Sequence, residues 1–291
     1  ARFGSSRRRA LWKALQRFAS PADALSSGPM LPNLRDYNEL YRRFSWRIPA
    51  RYNIGVDVCD HWADRDPSRL AILQVLADGS TAEISYGWLK ETSNRLANVL
   101  RAHGVSRGDR VAILLPQTPE AAASHIAVYK SAAVALPIAI LFGPDALAYR
   151  LKDSGAKAVI TNAQGLAKLG ELDAKTLGLS LILSIDGAGD GAADFGAMLG
   201  KASPDFSPVD TAPDDPAMMI YTSGTTGQPK GALHAHRVLL GHLPGVEMPH
   251  DFFPQPGDRF WTPADWAWAG GLLDCLLPSL HHGVAVVARK S

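Results

Sequence analysis

The segment Ala217–Arg237 reads AMMIYTSGTTGQPKGALHAHR, and its residue types point to anion chemistry. A short apolar run, Ala217–Tyr221, leads into a loop of hydroxyls, glycines and one lysine, and a second apolar run follows. Gly224, Gly227 and Gly231 let backbone amides approach a ligand closely. Thr222, Ser223, Thr225 and Thr226 add hydroxyl donors, and Lys230 adds a mobile cation. Donors without acidic neighbours, on a loop that can wrap, suit a polyphosphate. The spacing is not that of a Walker A loop, because GxxxxGK[ST] requires glycine at 229 and the chain has Pro229. A Ser/Thr/Gly-rich surface turn is the competing reading of the composition. Pro229, Lys230 and the compactness of the donors between two apolar strands argue against it.

Three other groupings carry possible chemistry. Six of the nine histidines fall in 234–282 (His234, His236, His242, His250, His281, His282). Their spacing matches neither HExxH nor a CxxC-type set, and no clustered carboxylates accompany them, so no metal site is expected. His234 and His236 are expected to flank the loop. Asp265 and Asp274 would fall on different faces of a helix and are not read as an acid pair. The stretch Phe260–Trp268 holds three tryptophans beside Gly270 and Gly271, which permits a slot for an apolar chain or ordinary core packing.

The elements that position these residues alternate. Val56–Arg65 reads helical, and Leu70–Leu76 with Thr81–Ser85 reads as a hairpin around Asp78 and Gly79. Leu89, Thr92, Leu96, Val99 and His103 have helical spacing ending at Gly104. Arg110–Leu115 reads as a buried strand. Thr118 and Pro119 then cap a helix reaching about Ala132. Next come a strand near Val134–Ile138, a helix Pro144–Ser154 stopped by Gly155, and strands Lys157–Thr161, Leu179–Ile185 and Val284–Ala288. This alternation predicts an α/β fold with parallel sheets flanked by helices. The small, acidic, turn-rich stretch 186–214 marks a subdomain boundary. The expected organisation is an N-terminal helix, linker and strap over 1–50, a first α/β subdomain over 51–210, and the start of a second over 211–291.

The chain has 291 residues, 46% of them hydrophobic and 20% charged, so it can bury a sizeable core. A net charge of +2 argues against a nucleic-acid protein. Cys59 and Cys275 are the only cysteines, which excludes a disulfide framework and points to a reducing compartment. The longest apolar run, Ala132–Gly143, is too short to span a bilayer and contains Pro137. Residues 1–22 carry six basic residues and no acidic one, and Leu11, Leu15 and Phe18 have helical spacing. The expected location is cytoplasmic, or the mitochondrial matrix if this segment is a presequence.

YTSGTTGQPKG at 221–231 resembles the phosphate-binding signature of the adenylate-forming superfamily, [YF]TSG[ST]TGxPKG, at every specified position. Ser85-Tyr86, Gly108–Ile113 with Pro116, Tyr129-Lys130 to Pro137, and Leu151–Ser154 with Ala156-Lys157 also resemble that family's early part. One departure is Ala132, where the family often has glycine; alanine should cost little there if its φ is negative. Phe260–Trp268 with Gly270 and Gly271 resembles the segment lining the carboxylate pocket of acetyl- and medium-chain acyl-CoA synthetases.

The resemblance covers about residues 37–291 and implies the N-terminal domain fold of acyl-CoA synthetases, incomplete. The activity it implies is ATP-dependent, AMP-forming and directed at a small carboxylic acid and CoA, with Mg²⁺ on the phosphates. It assigns ATP phosphate contacts to Thr222, Ser223, Gly224, Thr225, Thr226, Gly227 and Lys230, with Thr225, Thr226 and Lys230 closest to the chemistry. Trp266, Trp268, Gly270 and Gly271 would form the acyl pocket. The family's YGxTE-type and TGD-type segments and its C-terminal domain are not found in these residues, so this chain alone is expected to make no acyl-CoA. An aryl-CoA ligase and a non-catalytic nucleotide-binding fragment are the alternatives. Membrane or nucleic-acid binding through Arg7–Arg9 is a further rival that deletion of residues 1–22 would test.

Overall fold

The computed structural model describes residues 28–172, 177–189, 191–223 and 227–289. The expected helix in 1–22 lies outside them. Helix α1 (Tyr37–Arg43) begins on Asp36, whose side chain accepts from the Glu39 amide. Helix α2 is wide-turned over Val56–Asp60 and regular over His61–Ala63. The hairpin β1 (Leu70–Val75) and β2 (Thr81–Ser85) forms as expected, and Ser85 caps helix α3 (Tyr86–Ala102). Strand β3 (Arg110–Leu114) leads to helix α4 (Pro119–Lys130), capped by Thr118 accepting from the Ala121 amide. Strand β4 (Val134–Pro137), helix α5 (Pro144–Ser154) and strand β5 (Ala156–Thr161) follow. Gly155 ends α5 at φ 60°, the left-handed cap that glycine adopts most readily.

Downstream, helix α6 (Ala163–Gly170) fills a stretch to which the sequence assigned no element, and strand β6 is Leu181–Ser184. The turn-rich stretch after it contains strand β7 (Ala193–Asp194) and helix α7 (Phe195–Lys201), capped by Asp194. Strands β8 (Pro216–Thr222) and β9 (Lys230–Ala235) form a hairpin, followed by helix α8 (Val238–Glu247) and strand β10 (Arg259–Phe260). A last helical stretch, α9, runs through Ala269–Gly271, Leu272–Leu276 and Leu277–His281, and strand β11 (Ala285–Arg289) closes the described chain.

Two sheets result, ordered β10-β11-β1-β2 and β7-β6-β5-β3-β4-β8-β9. The expected α/β class with parallel sheets is therefore present. Strands from both sides of position 210 share each sheet: β8 pairs in parallel with β4, while β11 crosses back to pair with β1. The turn-rich 186–214 stretch is thus a connection within one sheet. An apolar strand such as Ala217–Tyr221 is stabilised by inserting beside β4, whatever the composition of the loop before it.

Strand alternation divides the buried side chains between the faces of the large sheet. Val111, Ile113, Ala158 and Ile160 join one core with α4, whereas Ala112, Leu114, Leu136 and Val159 join a second with Leu147 and Leu151 of α5. The chain steps from β3 to β4, then returns across β3 to β5. That reversal sends α4 and α5 to opposite faces, and a crevice opens where the connections part.

Candidate active site at the carboxyl ends of the strands

In sheets of this kind ligands bind beyond the carboxyl ends of the parallel strands. Three loops meet the expectation here: Leu115–Thr118 after β3, 223–229 after β8, and Trp261–Asp265 after β10. Gln117 joins the two sheets at this edge. Its side-chain amide donates to the carbonyls of Thr262 at 3.0 Å and Ala264 at 2.7 Å, and its oxygen accepts from the Arg289 amide at 3.3 Å. Beside it lies a cavity of about 370 Å³ lined by Pro116, Gln117, Trp261, Pro263, Asp265 and Arg289 among others. Burial raises the Asp265 carboxyl above the usual carboxylate range.

Thr222 and Lys230, the two ends of the 222–230 segment, face each other at the end of the β8–β9 hairpin. Thr222, Ser223, Gly227 and Lys230 are all exposed. Gly227 has φ 92°, a conformation that a side chain would oppose. Gly224, Thr225 and Thr226 lie outside the described residues. Helix α5 touches both ends of the loop. Tyr149 donates from its hydroxyl to the Pro229 carbonyl at 3.0 Å, and Tyr221 donates to Asp153 Oδ2 at 2.5 Å. Burial, then the Asp153 carboxylate, pushes the Tyr221 phenol above its ordinary pKa.

The aromatic segment divides in two. Trp266 is 1% exposed and part of the core, whereas Trp268 lies at the surface with its ring edge-on to Phe142 at 5.8 Å. The two tryptophans expected along one slot therefore occupy different environments, because residues 265–268 form a turn, closed by the Trp268 amide donating to the Asp265 carbonyl at 3.0 Å, whereas an extended run would put both on one face. Phe142 in turn stacks on the Arg150 guanidinium at 3.9 Å, and Arg150 lies 5.7 Å from the Tyr221 ring. This row of contacts links Trp268 to the hairpin. Gly270 is exposed; Gly271 is buried, where a Cβ would come within 2.3 Å of the Asp265 carbonyl oxygen.

His236 accepts the Ile54 amide at 3.1 Å, and burial lowers its pKa to about 4. His234 is half-buried and paired with Met218 across the hairpin. Asp274 pairs with His242 at 2.7 Å and not with Asp265. Among the described residues no three His, Cys, Asp or Glu side chains gather as a metal site, so none of them presents a cage for Mg²⁺. Gln117, Arg289, Tyr149 and Arg150 were not singled out from the sequence. For Gln117 a signal existed, since it lies between the end of a buried strand and the Thr118 cap of the next helix.

Known proteins share this chain's sequence pattern and fold. A family model described as AMP-binding enzyme matches residues 59–291. The human mitochondrial acetyl-coenzyme A synthetase 2-like protein is 32% identical over 267 residues, which are 86% of this chain and 38% of that protein. The acetyl-coenzyme A synthetase of Halorhodospira halophila is 36% identical over 206 residues, covering 65% of this chain and 32% of its own length. In structure, the Brucella canis acyl-CoA synthetase matches with a TM-score of 0.78 at 29% identity, over 89% of this chain and 48% of that one. The chain thus spans well under half the length of the two synthetases it matches in sequence.

Proposed function

Because the chain belongs to the AMP-binding enzyme family, we propose that it is part of an AMP-forming acyl-CoA synthetase and supplies the polyphosphate grip and one wall of the acyl site. The observation that carries this reading is the position of the 222–230 loop. It follows the carboxyl end of β8, a strand parallel to β4, on the edge where the β3 and β10 loops also converge. In the reaction a carboxylate oxygen attacks the α-phosphorus of ATP and the bond to pyrophosphate breaks, giving an acyl-adenylate. The CoA thiol then attacks the acyl carbon, and AMP leaves with the bonding electron pair.

An ionised carboxylate needs no general base, so the first step depends on positioning and on neutralising charge as pyrophosphate departs. Thr222, Ser223, Thr225 and Thr226 donate hydroxyls to the β- and γ-phosphates, Gly224 and Gly227 offer amides, and Lys230 supplies positive charge. Bound Mg²⁺ would offset charge on the same phosphates. Trp268, Gly270 and Gly271, with Trp266 behind them, form the wall for a small or medium acyl chain.

The test is equilibrium binding of Mg-ATP and of inorganic pyrophosphate to the chain. Thr226→Ala or Lys230→Ala is expected to weaken both by about tenfold, as expected for one lost charge-assisted hydrogen bond. Unchanged affinity in both variants would remove the loop from the site.

A further inference from the structure

Helix α5 directs a set of polar groups toward the two ends of the 222–230 loop. Tyr149 and Asp153 are four residues apart and lie on one face. Tyr149 reaches the exit of the 222–230 loop at Pro229, and Asp153 reaches its entry through Tyr221. Their rings and chains also meet, since Tyr149 is edge-on to Tyr221 at 6.3 Å. Between them sits Arg150, only 7% exposed. Its Nη1 donates to the Ala146 carbonyl at 2.7 Å, while its Nε is buried without a partner among the described residues. The guanidinium is stacked between Phe142 and the Tyr221 ring. No carboxylate forms an ion pair with it among the described residues. A desolvated cation without a counter-charge is costly, and such charges are usually kept only where something offsets them.

Resting on the phosphate-grip reading above, we propose that Tyr149, Arg150 and Asp153 are positioning residues for the polyphosphate loop. Tyr149 and Asp153 fix its two ends, and Arg150, beside Tyr221 at its entry, supplies a fixed positive potential that the incoming phosphates offset. Hydrogen bonds at Tyr221 and Pro229 hold the two ends of the loop in place, which reduces what the ligand must supply. The buried guanidinium acts through a poorly solvated wall, where charge is screened less than at the surface.

The probe is inorganic pyrophosphate, titrated calorimetrically against the 291-residue chain at several salt concentrations. Arg150→Met is expected to weaken binding by about tenfold and to flatten its salt dependence, while Arg150→Lys restores most of both. Tyr149→Phe, which removes a single hydroxyl, is expected to weaken binding by about threefold. Thermal melting checks that each variant is folded, and if Arg150→Met fails to fold, Tyr149→Phe with Arg150→Lys decides. Wild-type affinity and salt slope in Arg150→Met and Tyr149→Phe, alongside a weakened Lys230→Ala, would overturn the brace alone. Absence of pyrophosphate binding by the wild-type chain would overturn the phosphate grip and the brace with it.

Discussion

Helices α4 and α5 leave adjacent strands of the same sheet, yet they keep their polar groups for different ends. Every residue of α4 except Glu120 is buried, and its polar side chains find partners inside the fold. Lys130 is fully buried, paired with Asp60 at 2.5 Å and donating to Ser93 Oγ at 2.9 Å and Asn94 Oδ1 at 3.0 Å. Helix α5 buries Leu147, Arg150, Leu151 and Ser154 and turns Tyr149 and Asp153 toward the hairpin. The contrast separates a polar set that closes on itself from one that ends at a candidate site. Substitutions on α4 should therefore change stability and leave binding per folded molecule alone, and those on α5 should do the reverse.

The largest effect is expected at Lys130. Lys130→Met removes the ammonium and leaves Asp60, whose pKa burial already raises, without its counter-charge. Breaking one side of such a pair costs about 3–5 kcal/mol, far more than an exposed pair would. Urea denaturation measures this directly. Pyrophosphate affinity corrected for the folded fraction should match the wild type. A loss in affinity beyond that correction would break the division between the two helices.

Acid should act on the α4 side next. Burial lowers His125 to about 3 and His236 to about 4. In the unfolded chain both return toward the ordinary imidazole value of about 6.5. Between those limits the unfolded state binds protons that the folded state refuses, so stability falls as pH drops below about 6.5. The slope approaches about 1.4 kcal/mol per pH unit for each histidine. His281 works in the opposite sense: burial lowers its pKa, but Asp57 at 2.7 Å outweighs this and raises it. Its contribution is complete below the unfolded pKa and fades as pH rises through the folded one. His125→Phe should cost about 1 kcal/mol at neutral pH by losing the Tyr129 hydroxyl contact, and it should flatten the acid slope. Urea midpoints from pH 4 to 8 test it, and an unchanged slope would reject burial of a neutral imidazole as the cause.

These two helices also show what the chain reveals before it folds. Thr118-Pro119 and Gly155 announce helix ends because capping is local chemistry. The loop residues 222–230 stand out as a candidate phosphate site because hydroxyls, glycines and a lysine without acids suit phosphate. By contrast, nothing local in Arg150 or Tyr149 distinguishes them from ordinary helix residues; their roles depend on which face of the sheet α5 covers. The same holds for Gln117 and Arg289, brought together across 172 positions where the two sheets meet. The place of β8 beside β4 was hidden for the related reason that parallel pairing leaves no turn signal. Trp266 and Trp268 read alike in sequence, and only the chain direction into α9 separates core from surface.

The smallest effect tests the end of α4 itself and has the opposite sign. Alanine at 132 was expected to cost little on the condition of a negative φ, but its φ is 52°. The turn demands it: the Ala132 amide donates to the Tyr129 carbonyl and the Ala133 amide to Val128, while the Ala132 carbonyl accepts from Gly108. These bonds reverse the chain between α4 and β4 within three residues and hold position 132 left-handed. A left-handed alanine carries about 1 kcal/mol of strain that glycine avoids. Glycine also loses more entropy on folding and gives up a buried methyl group, which subtracts from the gain. Ala132→Gly should therefore stabilise the chain by a net ~0.5 kcal/mol in urea denaturation, with pyrophosphate affinity unchanged. A destabilised variant would mean that the methyl's packing against the core outweighs the backbone strain.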